Sequence, residues 1–278
     1  MPPRLVAPEL ERFVARHFGA RGRDWLDRLP RRVEHYQGAW ELEIEGLLPG
    51  GLMSCCLAVK TARGQAAVLK LSGPWTPASL EALALEAWDG GPAPELLRAD
   101  DAGDALLLER IYPAEPFGGG TTAGEMRRVA ELLKALHAVP VSIELKGELP
   151  WLAAAVEKQI STAGDEAAAR SAAEALELRP RLELARARAA ELLSSWDGDD
   201  VLLHGDLENK NVLSCGRRGL VAVDPAPCIG DPAYDAAYWV AAAVAASARD
   251  DASTSLAELL GLDPARLRAW AAVVALEP

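Results

Sequence analysis

The chain has 278 residues, half of them apolar, and a formal net charge of −12. That length suits one large domain or two lobes around a sizeable core, and the acidic balance argues against nucleic acid, whose phosphates need basic patches. No apolar run is long enough to span a bilayer, the start MPPRLVAPELERFVARHF has no apolar signal core, and Cys55, Cys56, Cys215 and Cys228 show neither zinc-like nor disulfide-framework spacing, so a cytoplasmic chain off the membrane is expected.

Residues 1–38 read as helical, with Leu10, Phe13, Val14 and His17 on one face. A second helical piece over Asp24–Arg32 is limited by Pro30. From Ala39 the pattern turns to alternation. AWELEIEG reads as a half-buried strand, Pro49-Gly50-Gly51 as a turn, CCLAVKT as a second strand, Arg63-Gly64 as a turn and AAVLKL as a third strand. This antiparallel meander can fold over phosphates, although it lacks the repeated glycines of a phosphate-cradling motif. Lys70 lies inside the third strand. A lysine there has a partner or a function, unless the strand is an edge and the side chain points to water. TPASLEALALEAW is a helix with Pro77 in its first turn and Leu80, Leu83, Ala84 and Ala87 as its apolar stripe. It carries two acids, Glu81 and Glu86. Strands over Pro94–Arg98 and Ala105–Ile111 flank a turn at residues 100–104. Phe117-Gly118-Gly119-Gly120 reads as a flexible connection.

Thr122–His137 is a helix with Met126, Val129, Leu132, Leu133 and Leu136 on one face, and His137 suits the negative end of its dipole. Trp151–Leu193 reads as two helices broken near Arg179-Pro180. Then comes VLLHGDLENKNVLSCGRRGLVAVDPAP, residues 201–227. Gly205 permits backbone angles other residues resist. Apolar runs starting at Asn211 and Gly219, joined by Cys215-Gly216-Arg217-Arg218, form a hairpin. A hairpin sets the start of its first strand beside the end of its second, so Asn211 and Asp224 share one mouth, and Asp206 lies on the loop leading into it. Two close carboxylates repel unless a cation or water separates them, and hard oxygen donors suit Mg²⁺. Beyond the hairpin, Asp231 caps a helix with Pro232 at its first position, and Asp235 lies one turn inside. Two helices, about Ala236–Ala248 and Asp263–Leu276, end the chain.

The Asp206–Asn211 spacing, an Asp, four residues and an Asn, matches the kinase catalytic loop. HGDLENKNVL followed by AVDPAPCIGDPAYDAA resembles the aminoglycoside phosphotransferases, most closely the aminoglycoside 6-phosphotransferases and hydroxyurea kinases. The resemblance spans about residues 40–275. It implies an α+β, protein-kinase-like two-lobed fold. A nucleotide-binding lobe over 1–110 has a small antiparallel sheet with helices, and a mainly helical catalytic and substrate-binding lobe covers 111–278. It also implies ATP and Mg²⁺ as cofactors, and transfer of the γ-phosphate to a hydroxyl of a small molecule. A cationic aminoglycoside such as streptomycin is the first choice of acceptor, in keeping with the acidic chain. Hydroxyurea or another small metabolite is the second. A nucleotide-binding relic without catalysis is a third reading, against which the intact Lys70, Asp206, Asn211 and Asp224 set argues.

The resemblance makes Asp206 the catalytic base and Asn211 and Asp224 the metal ligands. It makes Lys70 the residue on the non-transferred phosphates. Glu81, rather than Glu86, orients Lys70, because it stands seven residues before Trp88. The backbone near Glu109–Ile111 would bind adenine, Asp235 would brace the catalytic loop, and His204 would support that loop rather than take part in chemistry. Six residues separate Asp224 from Asp231, too few for an activation segment, so a permanently active enzyme is expected. Glu208-Asn209-Lys210 stands where the family often has His or Tyr, a departure on the acceptor side.

Overall fold

The computed structural model describes residues 6–277 apart from Gly50, Pro77, Ala102 and residues 119–121. The middle of the Pro49-Gly50-Gly51 turn, Pro77 of the helix start, Ala102 of the 100–104 turn, most of the triple-glycine connection and the first five residues of the expected N-terminal helix therefore lie outside the described residues. The chain divides into two compact units. One holds the described residues up to Gly90 with Pro94–Ile111; the other holds Gly91–Ala93 and the described residues from Tyr112 onward.

In the first unit a long helical stretch, α1 (Pro8–Ala39), is interrupted at Gly19, whose φ of 52° and ψ of −127° turn the chain; a glycine takes such angles at little steric cost. Pro30 does not end the helix as the sequence suggested. It lies inside α1, where Leu29, Val33 and Tyr36 carry the buried stripe past it. The proline removes one backbone bond, at about 3 kcal/mol, and burying those side chains at about 1.5–3 kcal/mol apiece outweighs it.

The stripe packs on a five-stranded sheet of β1 (Glu43–Leu47), β2 (Ser54–Lys60), β3 (Ala66–Ser72), β4 (Leu96–Ala99) and β5 (Ala105–Glu109), in the order β1-β2-β3-β5-β4. Every neighbouring pair is antiparallel. Leu10, Val14, Trp25 and Leu29 from the helix share one core with Leu57, Leu69 and Leu71 from the strands. The Trp25 indole N–H donates to the Ser72 carbonyl at 3.0 Å, which satisfies its polar atom inside that core. α2 (Ala78–Trp88) follows β3 in sequence. Because β3 lies between β2 and β5, Lys70 is on the central strand and the edge-strand reading falls away.

The second unit begins with the short strand β6 (Glu115–Pro116) and α3 (Ala123–His137). Thr122 and Glu125 form a reciprocal capping box at the start of α3, and the expected face of Met126, Val129, Leu132, Leu133 and Leu136 is buried. Next come α4 (Ile143–Glu148), which sequence reading passed over, α5 (Leu152–Arg170) and α6 (Ala172–Ser194). The break between the two long helices falls at Ser171, not at Arg179-Pro180. Ser171 is extended and its hydroxyl accepts the Glu174 N–H at 3.1 Å, a strong helix start. Pro180 sits inside α6 on an exposed face, and the carbonyl it leaves without a donor, four residues back at exposed Leu176, is open to water.

β7 (Val201–Leu203) pairs antiparallel with β10 (Cys228–Gly230), and β8 (Val212–Cys215) and β9 (Gly219–Ala222) make the expected hairpin, joined at its edge by β6. The chain closes with three helices, not two: α7 (Ala233–Ala243), α8 (Arg249–Leu260) and α9 (Pro264–Val274). The polar start of α8, Arg-Asp-Asp-Ala-Ser-Thr-Ser, hides a narrow buried stripe of Ser253, Leu256 and Ala257. No described helix is long and apolar enough to cross a membrane.

Asp231 ties this helical end together. One carboxylate oxygen accepts the Ala233 N–H at 2.9 Å, capping α7; the other accepts the Arg266 Nε and the Trp270 indole N–H, both at 2.6 Å. The carboxylate is 1% exposed. Replacing Asp231 by Ala leaves a largely buried guanidinium without its counter-charge, and we expect urea unfolding to report a loss of about 3–5 kcal/mol. A loss below about 1 kcal/mol, the worth of an exposed ion pair, would show that Arg266 gains nothing from the burial.

Candidate functional site

In the first unit the Lys70 ammonium lies 2.8 and 2.6 Å from the two carboxylate oxygens of Glu81 on α2. The two side chains are 5% and 3% exposed. Removing both charges from water offsets most of what their attraction contributes, so the pair is poor evidence of a stabilising device and fair evidence of a functional one. Glu86, the other acid on α2, is exposed. At the end of β5 the Glu109 N–H donates to the Glu95 carbonyl at 2.9 Å, and the Glu109 carboxylate accepts the Glu95 N–H at 3.1 Å. The Glu109 amide is thus engaged inside the unit. The Ile111 side chain is buried.

In the second unit the His204-Gly205-Asp206 loop leaves β7 with Gly205 at φ 79°. A Cβ at Gly205 would lie 2.0 Å from the Ala226 carbonyl oxygen, so both the angle and the space require glycine. The approach is fixed by the Ala226 N–H, which donates to the His204 carbonyl at 2.9 Å. From below, the Asp235 carboxylate on α7 accepts the His204 N–H at 2.8 Å and the Gly205 N–H at 2.9 Å. His137 at the end of α3 completes the arrangement, its Nε2 3.0 Å from the same carboxylate. Sequence reading explained His137 by the helix dipole alone and did not find this partner, 98 positions along the chain. Burial works to raise the Asp235 carboxyl, but the His137 bond, the nearby histidines and the Gly205 N–H outweigh it and hold the group below the usual carboxylate range.

His204 has no exposed surface. Its Nε2 meets the Val223 carbonyl at 3.1 Å and its Nδ1 meets the Asp206 N–H at 3.4 Å. A carbonyl only accepts and an amide only donates, so this imidazole is neutral with its proton on Nε2. Burial pushes its pKa down, in the same sense. The ring is a brace between the loop and the end of the hairpin.

Asp206 and Asn211 are brought together. The Asn211 side-chain amide donates to the Asp206 carbonyl at 2.8 Å and to Asp206 Oδ2 at 2.9 Å. The Asn211 carbonyl accepts the Val223 N–H at 2.8 Å, which sets Asn211 beside the strand that ends at Asp224. Asp224 itself has φ 58°, a left-handed conformation that Asp tolerates better than most residues. Burial, first, and the charge of Glu208 push the Asp206 carboxyl up, against the influence of His204 and the charge of Lys210. Lys210 pairs with Glu208 at 2.6 Å.

Comparison with known proteins points the same way as the geometry. Residues 39–277 match the family described as aminoglycoside/hydroxyurea antibiotic resistance kinase. The chain is 33% identical over 231 residues to a streptomycin 6-kinase of Streptomyces griseus, covering 83% of this chain and 72% of that one. It is 33% identical over 268 residues to a hydroxyurea phosphotransferase of Kitasatospora aureofaciens, covering 95% of this chain and 76% of that one. Among solved structures, a choline kinase from Cryptosporidium parvum aligns with a TM-score of 0.63 at 12% identity over 86% of this chain and 81% of that one, so the fold is kinase-like, with an antiparallel sheet in one lobe and a helical majority in the other. By sequence, the chain belongs to the aminoglycoside/hydroxyurea antibiotic resistance kinases.

Proposed function

We propose that this chain is an ATP-dependent phosphotransferase that moves the γ-phosphate to a hydroxyl of an aminoglycoside such as streptomycin. The observation that carries the reading is the Asp206–Asn211 pair, locked from one side by Asp235 and from the other by His204. The relationship to streptomycin 6-kinases supplies the acceptor class. The net charge of −12 favours a cationic substrate over an anionic one.

Asp206 is the group that accepts the hydroxyl proton. Burial makes it a stronger base than an exposed aspartate, and its carboxylate is held still by the Asn211 amide. Phosphoryl transfer draws mainly on positioning and charge neutralisation, with little demand for early proton removal. Lys70, steadied by Glu81, holds the non-transferred phosphates, and the backbone near Glu109–Ile111 is the expected contact for adenine. The fit to Mg²⁺ rests on donor chemistry. The Asn211 nitrogen is spent on Asp206, which turns the other atom of that amide, its oxygen, to a cation, and Asp224 adds a carboxylate. Two hard oxygen donors suit an ion that completes its shell with phosphate and water. When bound, Mg²⁺ supplies charge neutralisation on the phosphates. The cytoplasm, where ATP is found, is the compartment this reading implies.

The hydroxyurea phosphotransferase relative supports hydroxyurea as a second acceptor. ADP release with Mg·ATP, measured across streptomycin, other aminoglycosides and hydroxyurea, separates the two. Turnover with hydroxyurea and none with any aminoglycoside would reverse the order.

Two substitutions test the assignments. Asp206→Ala should lower kcat by about 10²–10⁴-fold, the range for a positioned acid–base group, while nucleotide affinity measured by calorimetry stays intact. Unchanged turnover would remove Asp206 from the base role. Asp224→Ala should weaken Mg·ATP binding at least about tenfold, as loss of a charged ligand does, and a normal affinity in the same titration would remove Asp224 from the metal.

A further inference from the structure

Between Asp206 and Asn211 the loop carries Leu207, Glu208, Asn209 and Lys210. Leu207 is fully buried, while Asp206 and Glu208 on either side of it are part exposed, so the two acids open to solvent from one turn. The turn is tight. The Glu208 N–H donates to the Asp206 carbonyl at 2.9 Å, and the Glu208 carbonyl accepts the Asn211 N–H at 2.9 Å. Glu208 is thus fixed by its backbone to both Asp206 and Asn211. Its carboxylate meets the Lys210 ammonium at 2.6 Å, with the two side chains 36% and 61% exposed. Among the described residues the Lys210 side chain has no other hydrogen-bond partner. An exposed pair of this kind contributes little to stability, so parting it costs little and disturbs nothing else in the loop.

We propose that Glu208 is a specificity-determining residue: it receives a guanidinium or ammonium group of the acceptor, and Lys210 occupies it until that group arrives. The inference rests on the reading of Asp206 as the base and of a cationic aminoglycoside as the acceptor, and it names the contact that selects the cation. An acceptor whose hydroxyl reaches Asp206 brings its neighbouring groups against the residues that follow Asp206 on the loop. In streptomycin the guanidinium groups stand on ring carbons next to hydroxyl-bearing carbons, so a cation arrives with the hydroxyl. A guanidinium offers a carboxylate two parallel N–H donors, whereas a lysine ammonium is a point charge without that fork. Exchanging one cation for the other keeps the Glu208 charge matched throughout, so the carboxylate is not left unpaired when the acceptor excludes water from it. An uncharged acceptor such as hydroxyurea brings no cation and leaves the Lys210 pair in place.

The test is steady-state kinetics of the purified wild type and its variants with Mg·ATP and streptomycin, other aminoglycosides or hydroxyurea. Glu208→Gln keeps the size of the side chain and removes its charge. For a cationic aminoglycoside we expect KM to rise about tenfold or more, the worth of a hydrogen bond to a charged group. Both kcat and KM for ATP should stay within about threefold, the pattern of an interaction equal in ground and transition states. Lys210→Met removes the competing cation and should hold the acceptor KM at or below the wild-type value, down by as much as about fivefold, the most an exposed pair is worth. In the Glu208→Gln background, Lys210→Met should change that KM no further, because the site of competition is gone. An unchanged acceptor KM in Glu208→Gln, with Asp206→Ala inactive, overturns the inference and leaves the functional reading standing. So does a KM raised by Lys210→Met, or a rise in Glu208→Gln that ATP or hydroxyurea shares or that tracks a lowered thermal midpoint. A wild type that turns over hydroxyurea alone or no acceptor at all, or a fully active Asp206→Ala, overturns the functional reading and the inference with it.

Discussion

The carboxylate of Asp235 is the constraint on which the His204-Gly205-Asp206 loop depends. It has no solvent exposure, and its ionised form is held by the N–H groups of His204 and Gly205 and by His137. Hydrogen bonds to a buried charge are roughly twice as strong as neutral ones. They also have no substitute, since water does not reach the group. The loop it holds contains a left-handed glycine pressed against the Ala226 carbonyl. A glycine there is free to move, so the turn keeps one shape because its surroundings fix it. Here they do so from α7 below, from α3 through His137, and from the hairpin end through His204.

The same short segment solves two problems with two aspartates. Asp231, before α7, accepts from Arg266 and Trp270 and draws α9 to the start of that helix. Asp235, one turn into α7, faces the opposite task and holds the loop. The first is structural, a buried charge paired with a cation and an indole. The second fixes the backbone of the loop that presents Asp206. In the first unit Lys70 on the middle strand and Glu81 on α2 are likewise buried and paired. Exposed pairs such as Arg12 with Glu9 contribute little either way. The polar groups that matter are those placed deep against the apolar cores.

The sequence made some of this legible and hid the rest for identifiable reasons. Strand alternation gave the meander and the hairpin, with Val212 opposite Ala222 as the turn required. Helix faces were legible where the stripe was wide, as on α3. Helix ends were not. Pro30 and Pro180 both sit inside helices, because packing or an exposed carbonyl absorbs a single lost bond, and the true break at Ser171 was marked only by a cap. α8 was passed over because its polar first turn resembles a linker. At the site, Lys70 and Glu81 are eleven positions apart and their pairing could be foreseen from a helix following a strand. His137 and Asp235 are 98 positions apart, and no local pattern connects them.

The chemistry at residue 211 explains why an amide, not an acid, stands there. Its nitrogen lies 2.9 Å from Asp206 Oδ2. A carboxylate at that distance would repel Asp206 and raise its pKa further, as close acid pairs do. An amide donates instead, at no cost in charge, and the same side chain keeps an oxygen suited to a hard cation. At residue 224 the demands differ. The backbone there is left-handed, which a β-branched or bulky residue adopts only with strain. Asp and Asn are the side chains that tolerate it, and of the two only Asp brings charge. The two positions at the mouth of the hairpin therefore differ in chemistry: the neutral side chain touches Asp206, and the charged one stands where the backbone is left-handed.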